Sequence, residues 1–258
     1  MLTANYHTHT YRCRHAEGTE REYVETAIQG GLKILGFSDH TPYPFQGGYY
    51  STFRMRMDEL ENYVTTIERL KKEYRGEIEI HLGLEAEYYP AYFEALLRTV
   101  ADYPMEYLIL GQHYLENERG AFYSGAGTDD PALLCRYCAQ TKEAMRTGKF
   151  LYLAHPDLFD FHGDPAVYDR EMRSLCREAN RLSMPLEINF QGMRYRRNYP
   201  EMRFWQLAAE EGSTAVFGLD AHKPQDMWEP ELEEKARAIA AAAGIRVIDT
   251  LQLSPSQK

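Results

Sequence analysis

Histidines stand where the predicted β-strands of this sequence end. Nine histidines are present, and six of them follow short apolar runs. These six are His7, His9, His40, His113, His155 and His222. Because residues two apart on a strand point the same way, the His7–His9 and Asp220–His222 pairs can each aim two ligands at one point. Glu85 ends a further apolar run, and imidazole with carboxylate is typical of zinc, iron or manganese sites.

The candidate ligands outnumber what one ion can bind. The six histidines, Glu85 and Asp220 are eight side chains, whereas a single ion takes about six ligands at most. More than one metal ion is therefore expected. Two other histidines are interpreted as structural. His81 lies about 13 Å along the strand from Glu85, and His162 lies in a turn-rich segment without a ligand-like neighbour.

Small residues stand two positions before several candidate ligands. They are Ser38, Gly83, Gly111 and Gly218. A barrel interior is usually filled by Val, Ile and Leu, so this pattern predicts a cavity beneath the strand ends with room for a metal cluster and its waters. Tight helix packing or β-bulges are the alternative explanation.

Short apolar runs alternate with amphipathic stretches along the whole chain. The predicted strands are Thr3–Thr8, Ile34–Asp39, Glu77–Leu84, Tyr107–Gly111, Phe150–Ala154, Pro185–Asn189 and Thr214–Leu219. Helices are predicted near residues 20–29, 58–75, 91–102, 131–147, 166–183, 201–211 and 230–243. Strict alternation favours an α/β fold with a parallel sheet, either open or closed as a barrel. No linker or composition break interrupts it, so residues 1–258 are expected to form one domain.

Three long irregular segments follow strands, where a barrel keeps its functional loops. They span residues 41–57, 114–130 and 190–200. The first is rich in aromatic residues and arginine, which makes it a candidate lid over a site at the strand ends.

The composition and hydropathy of the chain exclude some classes of protein and of binding partner. The 258 residues include 29 Lys and Arg against 39 Asp and Glu, and this net charge of −10 opposes binding to nucleic acid. No run approaches the ~20 apolar residues of a membrane span, and the polar start does not fit a secretory signal. A cytoplasmic protein without a membrane partner is expected. Cys135 and Cys138 are interpreted as helix-packing residues, and nothing indicates the oligomeric state.

The ordered motifs resemble the PHP family, named for polymerase and histidinol phosphatase. These motifs are HTH, SDH, GLEAEY, GQHY, AHPD and GLDAH, and they extend from about Tyr6 to His222. PLEIN, FQ and GMR followed by NYP are similar to the histidinol-phosphate phosphatase branch. The resemblance implies a distorted seven-stranded (β/α) barrel of the PHP type. It also implies a three-metal centre of zinc, iron or manganese at the C-terminal strand ends.

The resemblance further implies which residues hold each metal. The first metal would be held by His7, His9, Glu85 and Asp220. The second would be held by Glu85, His113 and His155, with Glu85 bridging. The third would be held by His15, His40 and His222. The spacing of His15 alone does not indicate a ligand, and Glu87 is the alternative carboxylate if Glu85 is not the bridging one.

Such a centre predicts hydrolysis of a phosphomonoester, because a hydroxide shared by two metals is a nucleophile at neutral pH and a third ion can polarise a phosphoryl oxygen. Glu85 and Asp220 would be catalytic through these metals. Arginines should complete the phosphate pocket. Arg194 is the first candidate, as catalytic and substrate-binding residue, because it matches the arginine of the family's Gly-x-Arg segment. Arg197 and Gln112 are further substrate-binding candidates.

The resemblance favours L-histidinol phosphate, a small phosphorylated substrate, and so a step of histidine biosynthesis. Gln112 stands where a Ser-x-His segment is more usual, and Phe190–Gln191 replaces a small hydroxylated pair. These departures concern specificity. The alternative is therefore another phosphoester, such as a nucleotide, a sugar phosphate, a phosphotyrosine or a nucleic-acid end. A metal-binding module without turnover is less favoured, because every expected ligand is present.

Overall fold

Parallel strands alternate with helices through residues 2–253, the part of the chain that this computed structural model describes. The strands are β1 (Ala4–Asn5), β2 (Ile34–His40), β3 (Glu79–Ala86), β4 (Tyr107–Leu110), β5 (Leu186–Asn189), β6 (Thr214–Gly218) and β7 (Arg246–Val247). The α-helices are α1 (Glu20–Gln29), α2 (Leu60–Glu73), α3 (Phe93–Val100), α4 (Pro131–Arg146), α5 (Pro165–Arg181), α6 (Phe190–Arg194), α7 (Met202–Glu210) and α8 (Pro230–Ala243). This arrangement confirms the predicted α/β class.

The strands form two curled parallel sheets. The first sheet has the order β1-β2-β3-β4, and the second has the order β5-β6-β7. Single parallel bridges connect their edges. Leu153 pairs with Leu110 on one side and Leu186 on the other, and Thr8 pairs with Ala221. The carboxyl ends of strands from both sheets therefore meet at one end of the fold.

The predicted strand Phe150–Ala154 is not a strand of its own, because its pairing is too short to form a ladder. The Leu151 amide donates to Leu108 at 2.8 Å, whereas the Leu153 amide donates to Pro185 at 3.1 Å. The segment thus joins the two sheets through the bridges at Leu153. The first strand is also shorter than predicted, and α6 and β7 were not predicted.

Helix ends follow local chemistry that the sequence already shows. Thr19 and Glu22 form a capping box at the start of α1, so two otherwise unpaired backbone N–H groups are satisfied. Asp130 and Asp164 cap α4 and α5, and each is followed by a proline. These caps fix where the crossovers leave the sheets. No helix within residues 2–253 is long and apolar enough to cross a membrane.

The interior below the strand ends is filled by Tyr107. Its hydroxyl lies 2.8 Å from the carbonyl oxygen of Tyr6 and 3.0 Å from that of Phe37, so it joins β2 to the chain after β1. A Cβ atom at Gly83 would lie 2.5 Å from the Tyr107 ring. Gly83 therefore makes room for a tyrosine, and the predicted cavity is wrong at this level.

Candidate metal centre

The predicted ligands from both sheets lie together at the carboxyl ends of the strands. They are His7 and His9 after β1, His15 after a 3-10 turn (Tyr11–Cys13), His40 in β2, Glu85 in β3, His113 after β4, His155 after the Leu153 bridge, and Asp220 and His222 after β6. Most of these side chains are buried, whereas His113 is partly exposed and His15 is exposed. Residues far apart in sequence thus form one cluster.

Ring nitrogens and carboxylate oxygens approach one another on the His7 side of the cluster. His7 Nε2 lies 3.1 Å from His9 Nε2 and 3.6 Å from Asp220 Oδ1. His155 Nε2 lies 3.0 Å from Glu85 Oε1. Ligands that share one ion, each about 2.0–2.2 Å from it, have comparable separations.

His15 and His222 form the other side of the cluster. Their Nε2 atoms lie 2.9 Å apart, and the His9 and His222 rings stack with centroids 4.2 Å apart. Ring nitrogens of His9, His40 and His222 all lie within 4.8 Å of one another. This group contains His40 and His222 of the set that the family resemblance implies for a third ion, with His9 in place of His15, and the assignment of ligands to individual ions stays a prediction.

Glu85 occupies the middle of the cluster. Its carboxylate oxygens lie 2.9 Å from His40 Nδ1, 3.5 Å from His9 Nε2 and 3.6 Å from His113 Nε2. Glu87 instead lies behind the cluster, where it accepts a hydrogen bond from His113 Nδ1 at 2.9 Å. The geometry therefore favours Glu85 over Glu87 as the bridging carboxylate.

The charges of the cluster suit cation binding. Burial alone would raise the pKa of Glu85, but His113, His40 and His7 lower that pKa well below its usual value. Burial and the neighbouring His9 hold the pKa of His222 well below its usual value, so this imidazole stays neutral. The cluster thus combines ionised carboxylates with a neutral ring that keeps a free lone pair.

Several buried polar atoms in the cluster have no hydrogen-bond partner. His40 Nδ1 and Glu85 Oε2 lie 2.9 Å apart, yet neither makes a hydrogen bond of acceptable geometry. Leaving such an atom unpaired costs about 1–3 kcal/mol. Facing ring nitrogens cannot satisfy each other when both carry lone pairs. Divalent transition-metal ions would satisfy these atoms, and the residues present therefore fit a metal centre.

Buried carboxylates lie behind two of the imidazoles, and the sequence analysis did not assign them a role. Glu187 Oε1 lies 2.8 Å from His7 Nδ1, within hydrogen-bond distance. Asp39 Oδ1 lies 3.5 Å from His9 Nδ1, which makes no hydrogen bond. Carboxylates in this position orient histidine ligands and fix the protonated ring nitrogen. A sequence signal was available, because Asp39 and Glu187 both interrupt apolar strands.

The small residues before the ligands make room for carboxylates. A Cβ atom at Gly111 would lie 1.9 Å from Glu85 Oε1, and one at Gly218 would lie 1.7 Å from Glu187 Oε1. The cavity interpretation was therefore wrong here too. These glycines admit the side chains that build the centre.

A pocket of about 310 Å³ opens onto the cluster. Its wall includes His9, His15, His40, Glu85, His113, Asp220 and His222, together with Thr52, Phe53, Tyr114, Tyr123, Gln191, Arg197 and Tyr199. Phe53 and Tyr114 stack with centroids 5.5 Å apart. A second cavity of about 480 Å³ lies within residues 43–58 and contains none of the predicted ligands. The first pocket is therefore the candidate active site.

The predicted substrate-binding residues differ in their position. Arg197 lines the pocket, whereas Arg194 does not. The Arg194 guanidinium donates to Glu229 and, at 3.1 Å, to the carbonyl of Leu219, so its hydrogen bonds are used inside the protein. The Gln112 amide is likewise used, because it bonds to the backbone of Tyr88 and Tyr114. These contacts favour Arg197 over Arg194 and Gln112 as a substrate-binding residue, and all three assignments stay predictions.

The candidate lid is held by a buried ion-pair network. Arg54, in the segment 41–57, pairs with Glu87 and donates to Glu118 at 2.7 Å. Its neighbours Thr52 and Phe53 line the pocket. The segment thus forms one wall of the pocket, and its closure over a substrate stays a prediction.

Comparison with known proteins gives the family. The PHP domain matches residues 5–190. The chain belongs to the PHP family. The probable histidinol-phosphatase of Deinococcus radiodurans is 32% identical to this chain over 238 residues. The match covers 86% of each of the two chains. The histidinol-phosphatase of Bacillus subtilis is 35% identical over 125 residues, 46% of both chains.

A solved structure shares the fold. The histidinol phosphate phosphatase of Lactococcus lactis, complexed with zinc, L-histidinol and phosphate, superposes with a TM-score of 0.73 at 20% identity. The match covers 96% of this chain and 95% of the other. The family resemblance found in the motifs is confirmed. His15 shows what the resemblance added, because its spacing alone did not indicate the position it takes beside His222.

Proposed function

We propose that this PHP protein is a metal-dependent phosphomonoesterase that hydrolyses L-histidinol phosphate to L-histidinol and phosphate. The observation that carries the proposal is a cluster of buried imidazoles and carboxylates that opens onto a pocket with an arginine in its wall. The relatives named as histidinol-phosphatases support this substrate. The reaction would belong to histidine biosynthesis.

The proposal includes three divalent metals, held as the family resemblance implies. Glu85 would bridge the first two, and His15, His40 and His222 would hold the third. Zinc, iron and manganese all suit this donor set. Residues 1–258 would act as one cytoplasmic PHP barrel domain on a small substrate, without a membrane or nucleic-acid partner.

Divalent ions at these residues would supply Lewis acidity toward a phosphoryl oxygen and would lower the pKa of a water molecule. The chain itself contributes the charge and geometry around the phosphoryl group. Arg197 can donate paired N–H groups to two phosphoryl oxygens from the pocket wall. Gln191 Nε2 donates to Asp220 Oδ1 at 3.1 Å and so fixes that carboxylate.

The outer part of the pocket suits the leaving alcohol. Burial raises the pKa of Tyr123, so its phenol stays protonated and can donate a hydrogen bond near Arg197. The stacked rings of Phe53 and Tyr114 offer flat apolar contact to the leaving alcohol. An imidazole-bearing alcohol fits such a surface.

A panel of phosphomonoesters tests the proposal through release of inorganic phosphate. We expect L-histidinol phosphate to give the highest kcat/KM, and we expect a chelator to abolish turnover until a divalent metal is restored. His162→Ala provides a control with unchanged kinetics, because this exposed side chain contacts Asp160 rather than the cluster. A tenfold preference for a nucleotide, a sugar phosphate or phosphotyrosine would reject the substrate. Full activity after chelation would reject the metal mechanism.

A further inference from the structure

Glu187 is a buried carboxylate whose oxygens are fully used by hydrogen-bond donors. Its Oε1 lies 2.8 Å from His7 Nδ1 and 3.2 Å from the Tyr152 hydroxyl. Its Oε2 accepts from the His155 backbone amide at 3.1 Å and from Asn189 Nδ2 at 2.8 Å. A carboxylate has about four lone-pair sites, so four donors leave none for a metal ion. Glu187 is therefore placed to support ligands and not to act as one.

Glu187 reaches ligands outside its own sheet. It lies in β5, whereas His7 follows β1 of the other sheet and His155 follows the bridge at Leu153. The bridges that join the sheets in these regions are single. One side chain of the second sheet thus contacts two predicted ligands that lie outside that sheet.

The His7 ring has a defined orientation because of this contact. Nδ1 faces Glu187, so Nε2 points to Glu85 at 3.7 Å and to Asp220 at 3.6 Å. A metal can bind only the ring nitrogen that carries no proton, and a hydrogen bond at the other nitrogen fixes which one that is. Glu187 thus selects Nε2 as the ligand atom of His7.

The backbone conformation of His155 is a second observation, independent of His7, on what Glu187 supports. His155 has a φ of +30°, a conformation that residues other than glycine rarely adopt. Its N–H group donates to Glu187, and its Nε2 atom meets Glu85 at 3.0 Å. The carboxylate therefore stabilises the unusual backbone that turns His155 toward the cluster.

Gly218 leaves the space that the Glu187 carboxylate occupies. A Cβ atom at Gly218 would lie 1.7 Å from Glu187 Oε1 and 2.3 Å from its Cδ. Any larger residue at 218 would displace the carboxylate from His7. The end of β6 is thus shaped around Glu187.

We propose that Glu187 is a positioning residue of the metal centre, which fixes His7 and His155 for metal binding from the second sheet. The proposal rests on the metal-centre part of the proposed function and does not depend on the substrate. Metal affinity can therefore test it even if L-histidinol phosphate is not hydrolysed.

Zinc titration of the chelator-treated protein is the main test, with Glu187→Gln as the variant. We expect a 10- to 100-fold loss of zinc affinity, the usual effect of removing an outer partner of a histidine ligand. Tyr152→Phe is the matched control, because it removes one donor to the same carboxylate and leaves the carboxylate in place. Its zinc affinity should stay within twofold of the wild type.

Proton NMR of the zinc-loaded protein separates positioning from a merely structural role. A His7 Nδ1 proton bonded to a carboxylate should resonate far downfield, and Glu187→Gln should move it upfield. Unchanged zinc affinity would overturn the proposal. A lower melting temperature with unchanged affinity and an unchanged His7 resonance would also overturn it. If Glu187→Gln does not fold, Glu187→Asp, which retracts the carboxylate by one methylene, gives the same readouts.

Discussion

Gly111→Ala should disable the metal centre by a single methyl group. Gly111 follows β4 and is not among the residues with positive φ, so alanine is compatible with its backbone. The added Cβ would lie 1.9 Å from Glu85 Oε1, 2.6 Å from Cδ and 2.9 Å from Cγ. The clash therefore falls on the central carboxylate rather than on the fold.

The size of the effect follows from these distances. An ordinary contact between non-bonded atoms is about 3.5 Å, so Glu85 Oε1 must move by roughly 1.5 Å. Metal–ligand distances are held within about 0.2 Å, so Glu85 cannot keep its place among His7, His113 and His155. A displacement of about 1 Å at a reacting centre can cost about 100-fold in rate. We expect a loss of at least that size in kcat/KM, together with loss of one or two bound metals.

Metal content, phosphate release and melting temperature should be measured together on purified Gly111→Ala. Gly30→Ala is the matched control, because Gly30 has helical backbone and the nearest atom to its added Cβ would be Trp228 Cβ at 3.0 Å, which is not a residue of the cluster. The control should keep its metals and its activity. If Gly111→Ala kept a full set of metals and activity within twofold of the wild type, Glu85 would not be the bridging carboxylate.

Three further predictions concern the pocket wall and the opposite end of the fold. Arg197→Ala should lower kcat/KM about 10- to 100-fold by removing a charged hydrogen bond to phosphate. Arg194→Ala should instead mainly lower the melting temperature. Equal losses of kcat/KM in the two variants would contradict this difference. Phe53→Ala should raise KM for L-histidinol phosphate about 2- to 10-fold with little change in kcat, because one stacking partner is lost; an unchanged KM would remove Phe53 from the binding surface. Burial alone would raise the pKa of Glu106, but hydrogen bonds from His81, Lys71 and the Leu82 amide lower that pKa to about 2. Glu106→Gln should therefore reduce the free energy of unfolding by about 1–2 kcal/mol at pH 7, after allowance for partial exposure. The difference should shrink as the pH falls from about 4 towards 2, and urea unfolding at pH 7 and pH 3 should show it.

The fold class could be predicted because most local patterns agreed with the final structure. Helix starts such as Thr19 and Asp130 carry their own capping chemistry, and both α1 and α4 begin where the sequence indicates. The segment near Leu153 could not be predicted in the same way. Its bridges on two sides depend on how β4 and β5 curl, which apolar periodicity does not encode.

The site was predictable only in part for a related reason. Candidate ligands at strand ends, such as His7 and His40, could be predicted from their position alone. A carboxylate within an apolar strand draws attention to Glu187, but its partner His7, like the Glu85 that Gly111 accommodates, lies far away in sequence, so spacing does not reveal either contact. Arg194 shows the converse. A local motif suggested a phosphate ligand, but Glu229, 35 residues away, takes its guanidinium.

Tyr107 fills the interior below the strand ends and is held there by the carbonyl groups of Tyr6 and Phe37. The pocket is lined by residues at or beyond the carboxyl ends of the strands, so it opens on that side of the fold. For the proposed reaction, with the phosphoryl group beside the metals, the alcohol would lie nearer to solvent and would leave first. Free phosphate would then compete with the incoming ester, while free histidinol would inhibit only weakly.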